Sequence, residues 1–404
     1  MKRLPVFYAA FFTDAVLRRM ITYAVVLYGA EVLGGGQWAG LLYLCLVLPY
    51  LLSLHAGSVI DHSARRRVLQ ITAASTLALM LVLAGAEQCG TPHGLVIAAV
   101  ILVYGIVSAF AYPAFVAAVA DVAERERIGH STVVVNILAM LSHVCAPVAV
   151  GLLRMNLAWP ALFGVFAALA AASWLALAAA RLPRTTPPAD TTTVRERLRE
   201  LYVFCREHPS LPSLLLAIAA FSGLVVGPLE VLTPLFAENP LGLPSLRAGA
   251  FLAAGGLGLV AGAFGALKLV GRVNLGAWLC GCGVAGGLLI IVMTFAGTNA
   301  AFGLFFTAGA LGGVFSSLAI AGTQARASDA LRGRVMGLFT LILGAPPAIG
   351  GALAGAMSDT FGTVTTIRVF FTTVAVVFAV FFVTLKSLRP RTTSVADAGT
   401  PRPA

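Results

Sequence analysis

Charged residues are scarce in this sequence, and their scarcity excludes most soluble folds. Only 11% of the 404 residues are Asp, Glu, Lys or Arg, whereas soluble domains are near a quarter charged. Hydrophobic residues make up 59% of the chain, in long runs separated by short polar turns. Such runs can cross a bilayer as helices, and the alternating segments of about ten residues typical of a transmembrane β-barrel are missing. The sequence therefore predicts an all-α membrane protein with many spans.

Other absences narrow the function. The six cysteines lack the spacing of metal ligands, and Cys280 and Cys282 lie inside an apolar run, so they are expected to be packing residues and no metal or cofactor is predicted. No nucleotide-binding loop of the G-x-x-x-x-G-K-[ST] type is found, so the sequence does not predict ATP-driven transport. A membrane-embedded enzyme would need clustered carboxylates or paired histidines. Their absence makes an enzyme a remote alternative.

The basic residues predict the topology. The turn Gly57–Arg67 contains three consecutive arginines between two apolar segments, so it must lie in water at a membrane face. If this turn is cytoplasmic, most of the 27 Lys and Arg residues fall on the same side, and only Arg154 and Arg247 fall on the other. That distribution satisfies the positive-inside rule and predicts that both termini are cytoplasmic. The predicted location is the inner membrane. The same distribution also explains the net charge of +11 without nucleic-acid binding.

Twelve spans can be drawn, and they fall into two similar halves. Gly57–Arg67 and Gly262–Arg272 each place a glycine ten residues before an arginine, after the second span of each half. Repeated bundles of this kind are typical of transporters, whose sites lie between the halves near the midplane. The predicted organisation is an N-terminal six-helix bundle at 1–181, a cytoplasmic linker at 182–210, a C-terminal six-helix bundle at 211–388 and a disordered cytoplasmic tail at 389–404.

The turn at 57–67 resembles the signature loop of the major facilitator superfamily, Gly-x-x-x-Asp-Arg-x-Gly-Arg-Arg/Lys. Gly57, Asp61, Arg65 and Arg66 match it, whereas His62 and Ala64 depart from it. The resemblance implies two pseudo-symmetric six-helix bundles and a loop that latches them together in one state. In that role Asp61 would accept hydrogen bonds from Arg65 or cap a neighbouring helix. The second copy has Ala266 at the matching position, so the predicted latch is asymmetric.

Two further stretches resemble the branch of siderophore exporters and macrolide efflux pumps. They are Tyr112-Pro-Ala-Phe through Asp121, and Arg332-Gly-Arg-Val-Met-Gly337. In the family that the chain resembles, spans one, four, seven and ten line a central cavity. The resemblance thus implies a transporter whose substrate meets those four spans.

Three charges interrupt the first span: Asp14, Arg18 and Arg19. Each charge near a helix centre costs about 2.5–3.5 kcal/mol against lipid, so the cluster must face protein or water. Asp14 and Arg18 are four residues apart and can pair, while Arg19 points elsewhere. The cluster either holds the span against a neighbour or borders the transport path. In the second case Arg19 attracts an anionic substrate group, and Asp14 either exchanges a proton or positions Arg18.

Candidate residues also occur in the fourth, fifth and seventh spans. Glu230 is predicted to be an isolated buried carboxylate that loads and releases a proton; the alternatives are a place near the outer water boundary or a structural partner. Nearby Gly223, Gly227 and Pro234 favour close packing or local unwinding of the seventh span. His143, in the fifth span, is expected to be a hydrogen-bonded packing residue. The fourth span presents one broad face that suits either a large ligand or aromatic packing, formed by Tyr104, Ser108, Tyr112 and Phe115.

These features predict a secondary transporter that exports an amphipathic small molecule, a siderophore or a drug, by proton antiport and alternating access. The arginines of the first span favour an anionic substrate. A mover of lysophospholipid or another lipid is the alternative, with Arg18 and Arg19 at the phosphate. The expected partners are the substrate, protons and the bilayer, and the expected state is a monomer.

Overall fold

The computed structural model describes residues 3–52, 64–90, 94–122, 128–180, 206, 210–270, 272–326, 335, 338–339 and 341–384. Within them the chain forms twelve helical spans. In the N-terminal half these are α1 (Arg3–Glu31), α2 (Gly36–Val47, continued by a 3-10 turn at Leu48–Leu52), α3 (Arg65–Gln88), α4 (Gly94–Val122), α5 (Ile128–Arg154) and α6 (Trp159–Ala180). In the C-terminal half they are α7 (Ser210–Glu238), α8 (Ser245–Ala266), α9 (Leu275–Met293), α10 (Thr298–Arg326), α11 (Ala345–Phe361) and α12 (Thr363–Thr384).

The helix pattern confirms the predicted all-α fold of two six-helix bundles. Among the described residues, nine helices are long and apolar enough to cross a membrane. The other three are α1, whose charges break its apolar run, and the shorter α2 and α11. Most of the predicted linker and the whole predicted tail lie outside the described residues, so those two boundaries stay predictions.

The spans alternate in direction, which defines two faces. We call the face where α1 begins, at Arg3, the proximal face, and the face where α1 ends, at Glu31, the distal face. The two halves meet along three seams: α2 against α11, α5 against α8, and α1 against α7. The seams bring the charged residues of α1 next to α7.

Backbones touch in two of these seams. A methyl group placed on Gly355 of α11 would stand 2.2 Å from the carbonyl oxygen of Gly36 on α2. On the other side of the molecule, a methyl group on Gly249 of α8 would stand 2.3 Å from the carbonyl oxygen of Pro147 on α5. Small residues let helices approach this closely inside a bilayer.

A small apolar cluster closes the distal half of the third seam. Its buried members come from α1, α2 and α7, so they belong to both halves: Val26, Ala39, Tyr43, Val231 and Leu235. Each is at most 5% exposed. The polar residues of α1 lie on the proximal side of this cluster, since residues 14–19 precede Val26 in the helix.

The seventh span is interrupted just before Glu230, the candidate coupling residue. It consists of the helices Ser210–Phe221 and Gly227–Glu238, joined by a π-helical turn at Ser222–Val226. Such turns are rare and occur often at functional sites. Both effects predicted from the glycines of this span are confirmed, because Gly227 also packs directly against the backbone of Pro347 on α11.

Candidate functional site

The polar stretch of α1 carries two separate ion pairs. Asp14 and Arg18 lie one turn apart on the same helix, and their side chains meet with 2.5 Å between Oδ2 and Nη1. Both are largely buried, with side chains 13% and 15% exposed. The predicted pairing is confirmed, and it balances both charges within one helix.

Arg19 forms the second pair, with Glu230 of α7. Its Nη1 donates to Oε1 of the carboxylate at 2.6 Å, and the two side chains are 30% and 27% exposed. The expectation that Glu230 is isolated is therefore wrong. The physical reason is the seam between α1 and α7, which brings residues 211 positions apart in sequence within bonding distance. The pair thus connects the two halves of the molecule.

His143 of α5 completes this network. Its Nε2 lies 2.8 Å from Nη2 of Arg19. A guanidinium has only donors, so Nε2 must be the acceptor and the ring carries its proton on Nδ1. The structure therefore requires a neutral His143, because a protonated ring would place two cations in contact. The hydrogen-bonded packing role expected for His143 thus includes a direct bond to Arg19.

The four candidates on α4 have different environments. Tyr112 is 38% exposed, and the Cζ of Arg18 lies 5.8 Å from the centre of its ring. Tyr104, Ser108 and Phe115 are at most 3% exposed, so they offer a ligand no accessible surface in this state. Phe115 packs on Phe7 and Phe11 of α1, with ring centres 6.0 and 5.4 Å away. Aromatic packing therefore describes most of this face, and Tyr112 is its accessible member.

Tyr50 is a residue that sequence reasoning missed. It lies in the 3-10 turn that ends α2, after Pro49, and it interacts electrostatically with Arg18, Arg19 and Asp14. A phenol next to a helix-ending proline, inside an otherwise apolar span, is the signal that could have found it. Together α1, α2, α4, α5 and α7 surround one polar layer in the middle of the molecule.

The predicted latch is only partly within the described residues. Gly57 and Asp61 lie outside them. Arg65 is the first residue of α3, and its Nη1 bonds Oδ1 of Asp121 at 2.7 Å and the carbonyl oxygen of Ala117 at 3.0 Å. Both partners belong to α4, so the observed bonds of Arg65 tie together two helices of the same half. Arg66 is half-buried at the start of α3.

Solved structures of several transporters have the same architecture. A peptide transporter POT in complex with sulfate is 15% identical, with a TM-score of 0.79, over 96% of this chain and 95% of that one. The nucleoside transporter NupG is 13% identical, with a TM-score of 0.76, over 96% of this chain and 100% of that one. A bacterial homolog of the human lysosomal transporter Spinster is 16% identical, with a TM-score of 0.69, over 96% and 95%.

These likenesses concern the fold, because the identities are low. Comparison with curated protein sequences gives no match. The family model described as Major Facilitator Superfamily, however, matches residues 7–345. That stretch includes the polar layer, the seam between α5 and α8, and most of both halves, and it ends where α11 begins. The chain belongs to the major facilitator superfamily, and it is a membrane transporter and not an enzyme.

Proposed function

We propose that this protein is a proton-coupled secondary transporter, and that the pair of Arg19 and Glu230 couples proton binding to substrate binding. The observation that carries the proposal is the 2.6 Å contact between a guanidinium of one half and a carboxylate of the other. Alternating access moves the halves relative to each other. A bond that exists in one arrangement and not in the other biases the equilibrium between them.

The pair also sets rules for coupling. Protonating Glu230 removes its negative charge and frees Arg19 for another anion. Proton and anionic substrate would then each favour the binding of the other, because coupling between two ligands is reciprocal. They would move in the same direction. A cationic substrate group, in contrast, would compete with the proton for Glu230, and that competition supports antiport.

Our preferred mode is efflux by proton antiport, with an amphipathic siderophore or drug as the substrate. The proposed location is the inner membrane, with both termini in the cytoplasm. Because Arg19 is paired with Glu230, this mode favours a substrate that presents a cationic or neutral polar group to the carboxylate. Tyr112, whose ring centre lies 5.8 Å from Cζ of Arg18, offers an aromatic face to an apolar portion of the substrate. A purely anionic substrate would instead favour symport.

A transporter of lysophospholipid or another lipid is the second candidate. Arg18 is held by Asp14 at 2.5 Å but keeps other donors of its guanidinium, and Tyr112 lies over the same group. A headgroup phosphate could bind these donors. The two candidates are distinguished by the compound that binds. Binding of lysophosphatidylcholine favours the lipid transporter, and binding of a soluble compound favours the exporter.

The test uses purified protein in liposomes that contain a pH-sensitive dye. A hydroxamate siderophore, a macrolide and lysophosphatidylcholine are added one at a time, with and without an imposed pH gradient. We expect one of them to drive proton movement in wild type, and Glu230→Gln to abolish that movement while binding persists. Glu87→Gln is the matched control, since Glu87 bonds Tyr28 within the N-terminal half. Proton coupling that survives in Glu230→Gln would refute the proposal.

A further inference from the structure

A carboxylate of the C-terminal half caps a helix of the N-terminal half at the distal face. Asp359 lies in the last turn of α11, and α2 begins at Gly36. The backbone N–H of Gly36 donates to Oδ1 of Asp359 at 2.6 Å, and the N–H of Gln37 donates to Oδ2 at 2.8 Å. Both oxygens of one side chain are therefore engaged by the other half of the molecule.

This contact is strong in physical terms. The first N–H groups of a helix have no partner within it and form the positive end of its dipole. A carboxylate at that position satisfies two of them with charge-assisted bonds. Immediately below, the backbones of Gly36 and Gly355 touch, so the cap closes the end of a seam that is already tightly packed.

In the equivalent seam on the other side of the molecule, the described residues show no such cap. There α8 begins after Pro244, which makes no side-chain capping bond. The contact at that end is between backbones: a methyl group on Gly151 of α5 would stand 2.5 Å from the carbonyl oxygen of Ser245. Of these two seams, only the one between α2 and α11 has, among the described residues, a carboxylate that bonds the opposite half at the distal face.

We infer that Asp359 is a lock for the distal gate, which stabilises the state in which α2 and α11 are joined at that face. Opening toward the distal side must pull Gly36 and Gln37 away from the carboxylate. Because the bonds are absent in the open state, their whole free energy favours the closed state. This inference goes beyond the proposed function, because it holds for any substrate and any coupling ion.

The lock can be tested by measuring distances between spin labels across the other seam, where the labels do not touch Asp359. Met155 and Arg247 are exposed at the distal ends of α5 and α8, and His130 and Lys268 are exposed at the proximal ends. Each pair is replaced by labelled cysteines in a chain whose native cysteines are alanine. Asp359→Asn is then compared with Thr360→Ala, whose hydroxyl bonds only its own helix at Ala356.

We expect Asp359→Asn to raise the ratio of distal-open to distal-closed molecules by about tenfold, since charge-assisted hydrogen bonds are roughly twice as strong as neutral ones. The distance between 155 and 247 should lengthen as that between 130 and 268 shortens. Asp359→Glu should retain part of the lock, and Thr360→Ala should change neither distance.

Two results would overturn the inference. One is an unchanged ratio in well-folded Asp359→Asn. The other is a longer distal distance without any change at the proximal face, which would mean local fraying. If Asp359→Asn does not fold, Asp359→Ser keeps a capping oxygen without the charge. It should give an intermediate ratio, and a wild-type ratio would again contradict the lock. Transport need not be measured, so failure here leaves the role of Glu230 untouched.

Discussion

Arg19 and Glu230 face each other across the boundary between the two halves, with 2.6 Å between Nη1 and Oε1. The other ion pairs among the described residues join helices, or turns of one helix, within the N-terminal half. A pair in this position has two effects. It holds the halves together, and it makes each charge depend on the presence of the other.

The first prediction concerns that mutual dependence. Arg19→Gln and Glu230→Gln should each lower thermal stability, because each leaves a partly buried charge without its partner. The double variant should be more stable than the sum of the single effects implies, with a coupling energy of about 1–3 kcal/mol. Thermal unfolding of the four proteins in the same detergent measures it. Additive effects would show that the two side chains do not interact in the folded protein.

The second prediction concerns His143, which bonds Arg19 through Nε2. His143→Gln keeps a hydrogen-bond acceptor and should retain most of the transport rate. His143→Leu removes the acceptor and should lower the rate about tenfold. That factor corresponds to the loss of roughly 1.4 kcal/mol from the hydrogen bond that positions Arg19. Asn136→Leu, on an exposed position of the same helix, is the control and should leave the rate near wild type. Equal rates in His143→Gln and His143→Leu would show that the ring acts only by filling space.

Local geometry explains what could be predicted from the sequence. Asp14 and Arg18 are one helical turn apart, so their pairing follows from the period of the helix alone. The interrupted seventh span follows from Gly223 and Gly227, because glycine in a helix permits both unwinding and close approach. The number of spans follows from the apolar runs. Each of these inferences needs only neighbouring residues.

The partner of Glu230 could not be predicted in the same way. It lies 211 residues away in sequence, and the contact depends on how the halves pack. Arg19 and Glu230 were each visible as a charge in an apolar span, but their pairing was not. Asp359 shows the same limit, because its partners are backbone N–H groups. Every helix begins with free backbone N–H groups, so no residue type in the sequence shows which helix Asp359 caps.

The third prediction compares two carboxylate–arginine pairs that differ in the exposure of the carboxylate. Asp14→Asn leaves Arg18 unpaired where the side chain is 15% exposed, and should cost about 3 kcal/mol of stability. Glu31→Gln breaks the pair with Arg154 at the distal end of α1, where the side chains are 33% and 18% exposed. It should cost less than about 1 kcal/mol, because Arg154 keeps its bond to the carbonyl oxygen of Leu157 and its contact with the ring of Trp159.

Thermal unfolding of both variants measures the difference. Asp14→Leu combined with Arg18→Leu should recover much of the loss, because two apolar side chains replace the two charges. Equal destabilisation by Asp14→Asn and Glu31→Gln would contradict the contrast in burial. A large loss in transport without a loss in stability would instead assign Asp14 to the transport path, as its proton-coupling role predicts.

The fourth prediction concerns the close approach of α7 and α11. A methyl group on Gly227 would stand 2.1 Å from the carbonyl oxygen of Pro347, a distance that backbone atoms cannot tolerate. Gly227→Ala should therefore displace α7 relative to α11, and with it Glu230, three residues further along the helix. We expect a lower unfolding temperature and a transport rate reduced at least tenfold.

Gly164→Ala on α6 is the matched control, because a methyl group there meets no atom within 4 Å. In that variant alanine should leave transport unchanged and raise stability by up to about 1 kcal/mol, its usual advantage over glycine inside a helix. Combining Gly227→Ala with Glu230→Gln separates the two effects of the first substitution. If Gly227→Ala acts by moving Glu230 away from Arg19, it should lower substrate counterflow, which needs no proton movement, little further in the Glu230→Gln background. A full additional loss would mean that the contact with Pro347 is needed for the movement of the helices themselves.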